Sequence, residues 1–390
     1  MRSVLTAAFL ILGCEPKPDG FRVSIDDAHF VVPGPGLPDS VQPYASNNNV
    51  SIVRHEGRLF MAWRSAPTHF ASTETQMFVV SSDDDGQNWA HEQTIALGAD
   101  VREPLLYVAA DTLFLSFFEG GTNPLAFEPN KPWRSRYQGP EEWTTPETWG
   151  EDGEVPWDLV HHDGRLFLSS YLGNHYDFGE AGDVSVRLQW SEDGESWQPV
   201  GAVAEVYRGG GSEAAFGFDP DGDLWAVLRN EDGDSTGFGS LLCHAPADAL
   251  SEWDCPEQSD PNRYDSPRMF RHADELYMVA RRDIDGPYDQ ANPEDSFGAQ
   301  QIDNLTQYSG RPKTSALYWI DRTAGRVRHL MDLPGAGDNA FPSVVREGPH
   351  TFRIANYTSP LDDPDRTWFE GQISSEGTGV YLLTLRFEER

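Results

Sequence analysis

The chain has 390 residues, with 29 Lys+Arg against 63 Asp+Glu and a formal net charge of −34. Such acidity excludes nucleic acid as a partner, because binding phosphate needs a basic surface. The length admits one large domain or two to three small ones, and the acid surplus describes a solvated surface rather than a fold.

The first residues, MRSVLTAAFLILGC, read as a targeting segment, with Arg2 as its cationic start and residues 4–12 as its apolar stretch. That stretch is too short to span a bilayer. Ile11-Leu12-Gly13-Cys14 is similar to a bacterial lipobox. The expected protein is therefore exported to the periplasm or cell surface and held to a membrane through a lipid on Cys14, or cleaved and secreted. The predicted division is a leader at 1–14, a linker at 15–20 and one domain at 21–390.

Residues 21–32, FRVSIDDAHFVV, alternate as a strand does. This strand is left over before the first repeat. It is expected to pair with the C-terminal VYLLTLRF (380–387), closing a ring and removing its free sheet edges.

Six segments then share one pattern of turn, apolar run and terminal aromatic or Arg. They are GRLFMAWR (57–64), DTLFLSFF (111–118), GRLFLSSY (164–171), GDLWAVLR (222–229), DELYMVAR (274–281) and HTFRIANY (350–357). Their starts lie between 52 and 76 residues apart. Self-similarity near fifty residues marks a propeller or a related array, and six units of about four strands predict an all-β, six-bladed β-propeller. Each unit has an inner strand before its turn: VSIVR, PLLYV, DLVHH, AAFGF, PRMFR and PSVVR.

Two turns carry Ser-x-Asp-x-Gly patterns followed by Trp. One has Ser82, Asp84, Gly86 and Trp89, and the shorter one runs from Ser191 to Trp197. Their Asp is expected to accept backbone N–H bonds within the turn, and their Trp to pack between blades. Cys243 and Cys255 fall on two strands joined by a turn, and export permits a disulfide between them. Residues 283–312 form a long polar insertion in the fifth unit, either a cap on the central pocket or a surface loop.

In the fourth unit, SEAAFGFDPDGDLWAVLR folds as a hairpin around Asp219-Pro220-Asp221-Gly222. Its open end brings Glu213 and Arg229 together. In a propeller, the starts of inner strands and the ends of second strands share one mouth of the axial channel. Those positions hold Asn48, Asn49, Arg102, Glu103, Trp157, Asp158, Glu213, Asp265, Arg268, Arg64, Tyr171, Arg229, Arg281 and Tyr357. Carboxylates, arginines and aromatic rings around one opening suit a sugar, an anionic one included. No Cys/His set stands at metal-ligand spacing, so no catalytic metal or other cofactor is expected. No Gly-rich loop leads a strand into a helix, which disfavours a nucleotide.

The repeats, the Asp-bearing turns and the Glu213–Arg229 hairpin resemble the sialidase superfamily of BNR (Asp-box) repeat proteins. The resemblance implies a glycosidase in which Glu213 activates Tyr357 as nucleophile. Arg229, with Arg281 or Arg311, would bind a substrate carboxylate. The chain departs from the family in two places. Asn47-Asn48-Asn49-Val50 stands where the first arginine belongs, and the loop SAPTHFASTETQ supplies His69 or Glu74 in place of the acid/base Asp. A glycosidase for another sugar would use Asp158, Glu103 or Glu213 as its carboxylate pair, with Arg64, Arg102, Arg268 and Trp157 among its sugar contacts. The alternative is a propeller lipoprotein that binds glycan without cleaving it.

Overall fold

The computed structural model describes residue 18 and residues 20–175, 178–287 and 292–390. The leader through Cys14, and most of the linker after it, lie outside the described residues. The described chain is a six-bladed β-propeller, as the repeat predicts.

The six repeated segments are the second strands of the blades: Arg58–Ala66, Thr112–Glu119, Arg165–Asn174, Leu224–Asn230, Glu275–Asp283 and Thr351–Thr358. Each is buried along most of its length because sheets cover both of its faces, which explains apolar runs instead of clean alternation. Each pairs antiparallel with an inner strand on one side and a third strand on the other. The inner strands are Ser46–His55, Val101–Ala109, Val155–His162, Gly211–Phe218, Asp265–His272 and Ser343–Gly348.

The hydrophobic cores lie between neighbouring sheets. Phe60, Ala62 and Val79 of the first blade pack on Leu113, Leu115 and Phe117 of the second. Tyr277 and Leu317 of the fifth pack on Phe352 and Leu383 of the sixth. Each such Leu or Phe contributes about 1.5–3 kcal/mol by burial, so the ring holds itself together at blade–blade seams.

The sixth blade closes the ring. Phe21–Val32 pairs antiparallel with Gly379–Glu389, from Phe21↔Glu389 to Val32↔Val380. The blade therefore takes one strand from the start of the domain and three from its end, and the edge is covered as expected.

The turn after Gln76–Ser82 is built on Asp84, which accepts N–H bonds from Gln87 at 3.1 Å and Asn88 at 2.8 Å. The Asn88 side chain and these N–H groups hold the Asp84 carboxyl down to about 2. Gly86 has φ +91°, and a Cβ there would meet Leu382 at 2.7 Å, so the position requires glycine. Asp193 caps its own turn through the N–H groups of Glu195 and Ser196. Both turns join third to fourth strands at the blade periphery. Cys243 and Cys255 are disulfide-bonded.

The polar insertion contains a helix, Phe297–Ser309, capped by Ser296. A second short helix, Trp368–Ile373, starts with a Thr367/Glu370 capping box. Gln301 on the first helix reaches the N–H of Gly179 and the carbonyls of Glu180 and Asp232. The insertion thus ties the third, fourth and fifth blades together, and its Tyr308 hydroxyl meets Arg281 behind the wall of the mouth. No described helix is long and apolar enough to cross a membrane.

Candidate functional site

The inner strands share a defect at the same end. Their pairing slips between Asn48 and Val50, Arg102 and Leu105, Pro156 and Asp158, Ser212 and Ala215, and Asp265 and Arg268. Within four of these bulges a residue other than Gly holds positive φ: Asn49 at 48°, Glu103 at 54°, Glu213 at 42° and Ser266 at 49°. A bulge re-aims a side chain out of the ladder, here toward the propeller axis. Each such conformation costs about 1–3 kcal/mol and persists only where the surrounding packing enforces it. The sixth blade does the same in the link before its inner strand, at Ala340 and Phe341.

These bulged residues line an axial cavity of about 100 Å³ with His69, Arg102, Arg229, Glu231, Arg281 and Tyr357. Phe127, Tyr171, Phe341 and Trp368 supply its aromatic surface.

One side of the cavity is an acid cluster around Arg229. The guanidinium donates to Glu213 at 2.7 Å and Glu231 at 2.5 Å, and lies 3.3 Å from Asp265. The second oxygen of Glu213 accepts the Ser266 N–H at 2.9 Å. Burial opposes charge on Asp265, yet Arg229, Arg263 and Arg281 hold its carboxyl below the usual range. Burial pushes Glu231 upward.

Glu103 faces this cluster. Its Oε2 is buried and has no hydrogen-bond partner. Burial, and then the charge of Glu213, drive its carboxyl well above the usual range, which favours its protonated form.

On another side, the Tyr357 hydroxyl donates to Asp338 Oδ1 at 3.0 Å, and His69 Nδ1 lies 2.7 Å from Asp338 Oδ2. Burial opposes charge on Asp338, but His69, Arg281 and the Tyr357 hydroxyl hold its carboxyl low. Burial lowers His69, and beside an ionised Asp338, which can only accept, its Nδ1 is the donor. Burial and the charge of Asp338 raise the Tyr357 phenol well above its ordinary value.

The sequence-derived residues divide into two groups. Glu103, Glu213, Tyr357, Arg102, Arg229 and Arg281 come together around the cavity. Arg64 is fully buried and spends its donors on Asp100, Asn48 and the carbonyls of Thr68 and Phe70. Asp158 pairs with Arg268 and accepts the Leu159 N–H at 2.7 Å. That pair lines a separate cavity of about 350 Å³ formed by later residues of the inner strands, deeper along the axis. Trp157 packs against Phe341 at 4.8 Å and gives its carbonyl to Arg268. Arg311 lies 4.0 Å from Asp283, in the insertion. Of the two loop residues, His69 lines the cavity, whereas Glu74 is exposed.

The resemblance puts Glu213 beside Tyr357 as its activator. In the structure the carboxylate that accepts from Tyr357 is Asp338, because Glu213 is engaged by Arg229 and Ser266. Asp338 lies in the irregular link GAGDNAF, one residue from Asn339, where strand periodicity has no hold. Glu231 was equally hidden, two residues beyond a strand-end Arg. Among the described residues, no group of three or more His, Cys, Asp and Glu is arranged to hold a metal.

No protein-family model and no curated protein matches the chain. Solved structures do. A Dyadobacter fermentans protein of unknown function superposes with a TM-score of 0.60 at 12% identity, covering 94% of this chain and 99% of that one. Trypanosoma rangeli sialidase gives 0.55 at 13% identity, covering 88% of this chain and 55% of that one. Penicillium chrysogenum α-L-arabinanase, complexed with arabinobiose, gives 0.51 at 12% identity, covering 92% and 98%. The chain spans about half the length of the sialidase structure. At these identities the likeness is one of fold: this chain is a sialidase-like six-bladed propeller.

Proposed function

We propose that the chain is a glycoside hydrolase that removes a terminal sugar from a glycan. The observation that carries this reading is the buried Glu103, with an unpartnered oxygen in a cavity that also presents the hydrogen-bonded pair Tyr357–Asp338. An acid, and a nucleophile hydrogen-bonded to a carboxylate that can take its proton as the bond forms, facing one small space are what glycosidic bond cleavage requires. Two structural neighbours, the sialidase and the arabinanase, carry glycan-acting names on the same fold.

In the proposed reaction the Tyr357 oxygen attacks the anomeric carbon as its proton passes to Asp338. Glu103 gives its proton to the departing glycosidic oxygen, and the bond to the leaving group breaks. Glu103, now a carboxylate, then takes a proton from water, whose oxygen displaces Tyr357 from the sugar. Asp338 returns the first proton to Tyr357. The products are a free sugar of retained configuration and the shortened glycan. His69 holds Asp338 as an acceptor and serves as a positioning residue. A cavity as small as about 100 Å³ suits a single terminal unit better than the interior of a polymer, and so attack at a chain end.

The test is hydrolysis of a panel of aryl glycosides, a sialoside included, by protein starting after Cys14. Release from at least one member is expected. Binding without release from any would turn the reading to the glycan-binding alternative. We also propose that the protein is exported and anchored through Cys14, a reading supported by the leader pattern alone. A labelled fatty acid should be incorporated into the full chain and lost on Cys14→Ser; equal labelling of both would contradict anchoring there.

A further inference from the structure

We infer that the cavity takes an uncharged sugar, one that offers hydroxyl groups and no carboxylate; this rests on the hydrolase reading above. The arginines at the mouth suggest an anion site when counted alone, but their partners are already in place. Arg229 is held on three sides by Glu213, Glu231 and Asp265. Arg102 is paired through Nε with Asp100 and through Nη2 with the His69 carbonyl. Arg281 donates to the Asn339 carbonyl at 2.8 Å and to the Tyr308 hydroxyl at 3.0 Å, and shares Asp265 at 4.0 Å. Arg64 is committed inside the wall.

With Arg263, which also acts on Asp265, five arginines are thus set among six acids, since Glu103 and Asp338 join Asp100, Glu213, Glu231 and Asp265. Even with the buried Glu103 carboxyl neutral, five guanidiniums face five carboxylates and no positive charge is left over. An entering carboxylate would meet no surplus positive charge and would have to displace a buried acid from its guanidinium. A sugar hydroxyl faces no such barrier. It can donate to a carboxylate oxygen and accept from a guanidinium in the same place, as Arg–carboxylate arrays allow. The rings of Phe127, Tyr171, Phe341 and Trp368 offer flat apolar surface to the C–H face of a pyranose or furanose.

The test is calorimetric binding to the mature protein at pH 7. The probes are methyl pentosides and hexosides, the methyl uronosides of the same stereochemistry, and a methyl sialoside. A neutral glycoside is expected to bind at least about tenfold more tightly than its uronoside or than the sialoside. Glu231→Gln, which takes one acid from Arg229, should narrow that gap by strengthening uronoside binding. Equal or tighter binding of an anionic probe by the wild type would overturn the inference while leaving the hydrolase reading intact. Affinity for neither class would overturn the hydrolase reading, and the inference with it.

Discussion

Tyr357→Phe is expected to lower turnover by about 10³-fold or more while leaving KM nearly unchanged. The substitution keeps the ring, which is 2% exposed and packed in a buried apolar cluster that includes Phe341 and Val380. It removes only the hydroxyl that would form the bond to the sugar. Asp338 loses one donor but keeps His69 Nδ1 and the Ser359-supported backbone around it. A hydrogen bond to a charged group is worth about 1.5–3 kcal/mol, so a modest loss of stability accompanies the loss of activity. Initial rates on the best aryl glycoside and thermal melts of both proteins separate the two effects. A variant that melts normally and keeps more than about a tenth of wild-type turnover would remove Tyr357 from the chemistry.

Glu103→Gln should give the second-largest effect, and one that depends on the leaving group. A positioned general acid contributes about 10²–10⁴-fold. Natural glycosidic linkages need the proton, so the loss should be of that order for them and much smaller for a nitrophenyl glycoside. The pH profile supplies an independent check. Glu103 must be protonated to act and its carboxyl is raised, so wild-type activity falls as pH rises through that elevated value. Asp338 must be ionised and is held low, so the acid limb lies well below neutrality. The variant should lose the alkaline limb and keep the acid one.

Stability moves in the opposite direction from activity at this position. A carboxyl whose pKa is raised on folding gives stability that is fully present below its unfolded value and is lost as pH rises through its folded value. Glutamine stays neutral throughout, so Glu103→Gln should melt higher than wild type, and increasingly so toward alkaline pH. A protein that retains a buried, strained, unpartnered acid at a cost in stability is the expected signature of a functional group.

The fold was legible because the fifty-residue period reports blade count directly, and apolar runs between turns report strands buried on both faces. The hairpin Glu213–Arg229 was legible for the same reason: antiparallel pairing fixes what its open end brings together, and Ser212 does face Arg229 across the ladder. Location in a mouth followed from topology, and direction did not. Asp158 and Glu103 occupy equivalent places in sequence. Glu103 lies in a bulge with φ +54° and faces the cavity, whereas Asp158 pairs with Arg268 deeper in the channel. Backbone bulges leave little trace in residue type when the bulged residue is not glycine. Asp338, Trp368 and Phe127 come from links and insertions, where neither period nor alternation assigns a position.

The account rests on a covalent sugar–Tyr357 intermediate, and trapping it is the most direct test. The mature enzyme would be incubated with a 2-deoxy-2-fluoro glycosyl fluoride of the best sugar from the panel, digested and examined by mass spectrometry. The account predicts one added glycosyl group on the peptide containing Tyr357, absent in Tyr357→Phe. Turnover of that sugar with inverted configuration and no label on Tyr357, or a label on Glu213 or Glu103 instead, would contradict it.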